Sequence, residues 1–211
     1  MSVQAVSLAE KIKQDVCRRL FGKPVVQNNF RGEVVEQIVA RALDESWRHC
    51  SEGWWAWDFE RKYGEKIRIQ VKQTAALQSW DLDPEYEKIE RKTGAYFRVA
   101  KTGSYYPVEG TSPIKLRWEA APARHSEIYL FAAHEIDDVS ANHFDPGQWK
   151  FYLVEADELG ERNSISIVEI KSRSEALEFA QLKDAVNSLA DKLKRKPRPS
   201  TSTPPSPPAT S

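Results

Sequence analysis

The chain has 211 residues with 31 basic and 31 acidic side chains, a net charge of zero that excludes neither a nucleic-acid nor an acidic partner, because the local field and not the sum governs such binding. Its 40% hydrophobic content and seven tryptophans can fill a proper core. No run nears the roughly 20 apolar residues of a membrane span, and the opening MSVQAVSLAEKIKQ has no apolar signal-like stretch. Cys17 and Cys50 stand apart with no CxxC spacing, so the sequence predicts a reducing, cytoplasmic compartment and no membrane association.

In chain order, Leu8, Ile12, Val16 and Leu20 step by four and predict an amphipathic helix over 6–21. Gly22 and Pro24 then break it. A second helix is predicted over about 30–48, with Asn28 or Asn29 as N-cap. Strands are expected at 53–61 (GWWAWDFER) and 65–73, joined by a tight turn at Gly64. The charged segment 81–92 reads as a loop or short helix. YFRVA (96–100) and PIKLRW (113–118) read as strands around a Gly/Ser/Pro-rich connection, and IYLFAA (128–133) as a buried strand. WKFYLVEA (149–156) and SISIVEI (164–170) complete the strands, and a helix spans 173–194. This order predicts an α/β or α+β fold with a mixed central sheet flanked by helices, with no internal repeat. The last residues, 195–211, are rich in Pro, Ser and Thr and lack large apolar side chains, so a disordered tail is expected there. Lys183, Lys192, Lys194, Arg195, Lys196 and Arg198 form the one basic run, readable as a solvated helix end or as a nucleic-acid surface.

The strand in KIRIQVKQTAALQSW (66–80) alternates Ile67, Ile69 and Val71 with Lys66, Arg68, Gln70 and Lys72. Before it, Asp58 sits among Trp54, Trp55 and Trp57, an acid on a strand otherwise made for packing. Two adjacent antiparallel strands would bring Asp58, Gln70 and Lys72 to one face. On a helical wheel of roughly 100° per residue, Glu36 lies at the edge of the apolar face of the second helix, while Glu33 points to solvent. Two acids, an amide oxygen and a lysine suit a hard divalent cation and a water beside it. Taken singly each has an ordinary reading: Lys72 as a solvated lysine, Glu36 as a helix-surface acid, Asp58 as a partner of Arg61 or Lys62.

Together, Gly32–Glu36, Asp58 and Gln70-Val71-Lys72 resemble the PD-(D/E)XK nuclease superfamily, as in Holliday-junction resolvases and Mrr-like restriction enzymes. In that fold a helix acid and a hairpin bearing Asp and (D/E)-x-K meet at a Mg²⁺ site, and the Mrr-like branch uses Gln for the second acid. The run VKQTAALQSW is similar to a motif of restriction-endonuclease-like proteins, as are the strands in RHSEIYLFAAH and QWKFYLVEADEL. The resemblance covers about 25–170 and implies a nuclease-like domain over 25–194, with 1–24 as an N-terminal helix and 81–126 as an insertion that would confer specificity. It implies that Glu36, Asp58 and Gln70 hold Mg²⁺ or Mn²⁺ and that Lys72 is the catalytic lysine. The implied activity is hydrolysis of DNA phosphodiester bonds, in restriction or phage defence, by a homodimer or with a defence-system partner. The alternatives are a catalytically inactive DNA-binding or partner-binding subunit and, third, a nuclease toxin or a nuclease acting on RNA.

Downstream of the motif, Thr74, Gln78 and Ser79 are candidates for contact with nucleic acid, and Trp80 is expected in the core. Of the tryptophans before it, packing is the expected role and base stacking the alternative. AHEIDDVSANHFDP holds His134, Asp137, Asp138, His143 and Asp145; without close zinc-ligand spacing it reads as a polar loop after a buried strand. His125 is expected at a strand edge. No phosphate-cradling glycine loop or nucleophile elbow is present.

Overall fold

The computed structural model describes residues 7–50, 55–82, 95–108 and 110–194. Two helices, α1 (Leu8–Phe21) and α2 (Asn28–Ala42), precede three strands, β1 (Trp47–His49), β2 (Phe59–Arg61) and β3 (Arg68–Ala75). Then come β4 (Tyr96–Arg98), β5 (Thr102–Val108), β6 (Lys115–Ala123), β7 (Ile128–His134), β8 (Trp149–Glu155) and β9 (Ser164–Ser166). Helices α3 (Ile167–Arg173) and α4 (Leu182–Lys194) end the described chain. The fold is α+β around a mixed five-stranded sheet of order β1-β2-β3-β7-β8, in which only β3 and β7 run parallel.

Period-two alternation decides what each face of the sheet meets. Ile69, Val71, Ile128, Leu130, Ala132 and Phe151 point to one side and pack with Val34, Val35, Ile38 and Val39 of α2 and Leu182, Val186 and Ala190 of α4. Tyr129, Phe131, Ala133, Tyr152 and Val154 point to the other, against Phe97, Ile165 and Ile170 from β4, β9 and α3. Strand β7 is covered on both faces, and all seven of its residues are buried, which is why its sequence is one apolar run. Each large aliphatic side chain so buried contributes about 1.5–3 kcal/mol.

Several boundaries differ from the sequence expectations, each for a local reason. Helix α2 stops at Ala42, because Leu43 turns extended and Asp44 takes the amide of Ser46 at 2.9 Å. Leu43 and Trp47 are nevertheless buried, so the helical spacing of apolar residues outlasts the helix. The strand foreseen over 53–61 contracts to β2, with Trp55 making an isolated bridge to Tyr105 and Trp54 outside the described residues. SISIVEI divides: Ser166 Oγ accepts the amide of Glu169 at 3.1 Å and caps α3, so only three residues remain extended. The last helix begins at Leu182, because Leu177 exchanges two backbone hydrogen bonds with Phe151, at 2.8 and 3.0 Å. Strand β5 arises in the expected connection and pairs with β6. Gly103 makes that pairing fit, since a Cβ there would lie 2.8 Å from the Trp118 ring. Of the basic run, Lys183, Lys192 and Lys194 pair with Asp44, Glu155 and Asp191 at 4.0, 3.1 and 3.4 Å. Arg195, Lys196, Arg198 and the whole segment 195–211 lie outside the described residues.

The histidine-bearing loop after β7 is tied inward. His134 and His143 are 1% and 0% exposed, with ring centroids 4.9 Å apart. His143 Nδ1 accepts the amide of Val26 at 3.0 Å, and Gln148 Oε1 lies 3.0 Å from His134 Nε2. Burial, then the nearby Arg31 and His134, push His143 down to about 4, and burial lowers His134 as well. A histidine with a depressed folded pKa contributes stability that is present above its unfolded value near 6.5 and is lost as pH falls towards the folded value. Urea unfolding between pH 7.5 and 4 is expected to show a loss of about 3 kcal/mol from His143, using about 1.4 kcal/mol per unit. His143→Asn should start lower and show a visibly flatter pH dependence; an unchanged slope would refute this assignment.

Candidate active site

Strand β2 pairs with β3 over Phe59↔Ile69 and Glu60↔Arg68 only, while β3 runs on for six more residues. Asp58 sits where the pairing stops. Its amide donates to Ile69 O at 2.9 Å and its carbonyl accepts Cys50 N at 2.7 Å. Its Oδ2 accepts the Val71 amide and the Gln70 side-chain Nε2, both at 2.6 Å. The carboxylate thus supplies the acceptor that another strand residue would have supplied. Arg61 is bound to Asp191 instead, at 2.9 Å. The neighbouring Glu60, 5% exposed, is held by Arg48 at 2.7 Å and Arg68 at 3.4 Å. Arg68 also lies 3.8 Å above the buried Trp57 ring, so Trp57 serves packing and not base stacking.

Alternation puts Gln70 and Lys72 on the face that Asp58 shares, beside Tyr129 and Phe131 of β7. Glu36 comes from α2, on the opposite side of the sheet, around the end of β2. It lies 3.2 Å from His49 Nε2, and the His49 ring stacks on Phe59 at 4.7 Å. The structure therefore brings Glu36, Asp58, Gln70 and Lys72 into one electrostatic neighbourhood. Burial, and after it the Glu36 charge, push Asp58 up to about 7 against the hydrogen bonds from Val71 and Gln70 and the charge of Lys72. Burial also lowers Lys72, opposed by Asp58 and Glu36 and assisted by Arg98. Lys72 makes no ion pair within 4 Å among the described residues.

A divalent cation fits this arrangement chemically. Two carboxylates that repel each other in a partly desolvated place are what such a cation would neutralise. Gln70 Oε1 is a further oxygen, since its Nε2 is the atom spent on Asp58. Among the described residues no three His, Cys, Asp or Glu side chains cluster as a metal site, so a cation held here would have two acids and an amide as its protein donors.

The downstream candidates separate. Thr74 continues the Lys72 face, half-buried. Gln78 is 6% exposed, its Oε1 taken by Arg31 at 2.9 Å and its Nε2 by Ala75 O at 2.8 Å; it serves the fold and does not present itself to a nucleic acid. Ser79 opens a short 3-10 turn and lines a groove with Lys23 and Asn28. That groove shares no residue with the cleft beside Lys72. Trp80 is 44% exposed and not in the core.

That cleft, of about 280 Å³, has Gln70 and Lys72 in one wall and Trp55, Tyr96, Arg98 and His125 in the others. His125 is buried, bonded to Thr102 O at 2.7 Å and to the Tyr106 hydroxyl. The described part of 81–126 therefore builds a side of the site. None of Tyr96, Arg98 or His49 was a candidate from sequence: the first two sit on a three-residue strand, and His49 lay where a helix was expected to end.

The chain matches no family model and no curated protein. Among solved structures it is similar to the bacterial homing endonuclease I-Ssp6803I, over 79% of this chain and 95% of that chain, at 13% identity and a TM-score of 0.37. A likeness that slight carries no argument about activity. Among the described residues no helix is long and apolar enough to cross a membrane.

The Gln70–Asp58 contact makes a direct prediction. Gln70→Glu replaces a donor by a like charge, so the metal-free protein should lose about 1–3 kcal/mol at pH 8. Mg²⁺ or Mn²⁺ should restore more of the melting temperature in the variant than in the parent. Equal melting of both proteins without metal would contradict the contact.

Proposed function

We propose that this chain is a metal-dependent endonuclease that hydrolyses DNA phosphodiester bonds, with a PD-(D/E)XK-type centre in which Gln70 stands for the second acid. The observation that carries the reading is the meeting of Asp58, Gln70, Lys72 and Glu36, from three separate elements, where β2 ends and the edge of β3 opens. Asp58, Glu36 and Gln70 Oε1 would hold Mg²⁺ or Mn²⁺. When bound, the ion supplies a Lewis acid for a phosphoryl oxygen and makes a water more acidic. Lys72 would orient the attacking water and stabilise the charge that develops on the phosphate. His49 would steady Glu36, and the hydrogen bonds to Val71 and Gln70 keep the Asp58 carboxylate in one orientation. Restriction or phage defence, with a homodimer or a partner protein, is the setting this reading suggests.

One observation favours a second reading, a DNA-binding or partner-binding subunit without catalysis. Gln70 Nε2 and the Val71 amide both occupy Asp58 Oδ2, which leaves that carboxylate one uncommitted oxygen for a metal. Calorimetry separates the two, since absence of any Mg²⁺ or Mn²⁺ binding favours the subunit.

Supercoiled, linear and single-stranded DNA incubated with Mg²⁺ or Mn²⁺ test the first reading. Cleavage is expected, with EDTA abolishing it. Lys72→Ala or Asp58→Ala should reduce it at least about a hundredfold, the scale of losing one transition-state contact, while the protein stays folded by circular dichroism. Cleavage retained in Lys72→Ala would refute the mechanism.

A further inference from the structure

On the Lys72 side of the sheet the described residues of the second layer leave a cleft. Strand β4 turns Phe97 inward, 2% exposed, and its neighbours of opposite parity, Tyr96 and Arg98, outward. Between β4 and β3 this leaves the cleft of about 280 Å³. Two cations, Lys72 and Arg98, line it, close enough that Arg98 acts on the Lys72 charge. Neither makes an ion pair among the described residues. Asp58 and Glu36 offset part of the Lys72 charge but are not among the groups that line the cleft. A lysine and an arginine facing one space, with no carboxylate among the described residues that line it, make a place for an anion, and a guanidinium in particular suits phosphate.

The same cleft has aromatic walls. Tyr96 is 61% exposed and its side chain has no ring contact or hydrogen bond among the described residues, and half-buried Trp55 lines the same cleft. An exposed phenol ring beside a pair of cations matches the two recognisable parts of a nucleotide, a π-face and a phosphate. A base within a duplex has both faces covered by its neighbours and has none to offer Tyr96. Only a base that is out of the stack can use this wall.

We infer that the cleft takes one unpaired nucleotide of a DNA strand, its base on Tyr96 and its phosphate between Lys72 and Arg98. The preferred substrate is therefore single-stranded DNA, or DNA with an unpaired nucleotide at the point of cleavage. This rests on the nuclease reading for its consequence, though binding can be measured without cleavage.

The test is metal-free binding of the full chain to a 2-aminopurine-labelled oligonucleotide and to its blunt duplex, followed by anisotropy and by 2-aminopurine fluorescence. The single strand is expected to bind more tightly, with its fluorescence quenched. Tyr96→Ala should weaken that binding about tenfold or more and leave the duplex unaffected. Arg98→Gln should reduce the salt dependence of single-strand binding by about 0.7 in the log–log slope, one phosphate contact on a single strand. Equal binding of the two forms, no binding of either, or an unaffected Tyr96→Ala would overturn the inference. Single-strand binding through Tyr96 without Mg²⁺-dependent cleavage would sink the nuclease reading alone. Cleavage of intact duplex indifferent to Tyr96→Ala would sink the cleft inference alone.

Discussion

Strand β3 has two edges of unequal cover, and much of the molecule is arranged around that inequality. Along one edge β7 pairs with it in parallel over seven residues; along the other β2 pairs over two. Backbone amides left at an uncovered edge need acceptors. Asp58 meets the first of them, accepting Val71 N with its carboxylate. An acid is thereby fixed at the mouth of an open edge, with its side chain oriented by the backbone and not by chance rotamer choice. The polar alternation of β3 then places Gln70 and Lys72 beside it.

Holding an acid there has an electrostatic consequence. Asp58 is pushed up to about 7, first by burial and next by the Glu36 charge, so the folded chain bears a cost at this point that neutral Gln70 moderates with a hydrogen bond. A third carboxylate would give a cation more to bind and would leave the metal-free protein with more repulsion. The neutral amide is one resolution of that conflict. Lys72 shares the neighbourhood without contacting either acid closely, its charge disfavoured by burial and favoured by the two carboxylates.

The remainder of the fold supports this edge from both sides. On one face α2 carries Glu36 within reach because Val34, Val35, Ile38 and Val39 lock the helix onto the sheet. Arg31, 2% exposed, ties the start of the same helix to Gln73 and Gln78. On the other face β4 and the β5–β6 ribbon form the outer walls of the cleft, with His125 joining Thr102 to Tyr106. The loop after β7, polar in composition, is drawn in by His134, His143 and Trp149, so its histidines are structural.

The central strands and the polar face of β3 were legible in the sequence because both rest on local periodicity. IYLFAA is apolar because it is covered on both faces, and Gln70 and Lys72 alternate with Ile69 and Val71 because one face is core. Element ends were less legible: Leu43 and Trp47 kept the helical spacing beyond the helix, and SISIVEI alternated although Ser166 starts a helical turn. Gln78 and Trp80 could not be assigned from residue type, since partner and cover, Arg31 for one and solvent for the other, come from elsewhere in the chain. By itself the sequence determined the strand faces, the apolar stripe of α2 and the types of residue gathered at the end of β2. Only the tertiary structure decided that Asp58 would bond to Val71 and Gln70, that His49 would sit beside Glu36, and that Tyr96 and Arg98 would line one cleft with Lys72. These depend on contacts between segments far apart in the chain, on which the periodicity of any one segment carries no information.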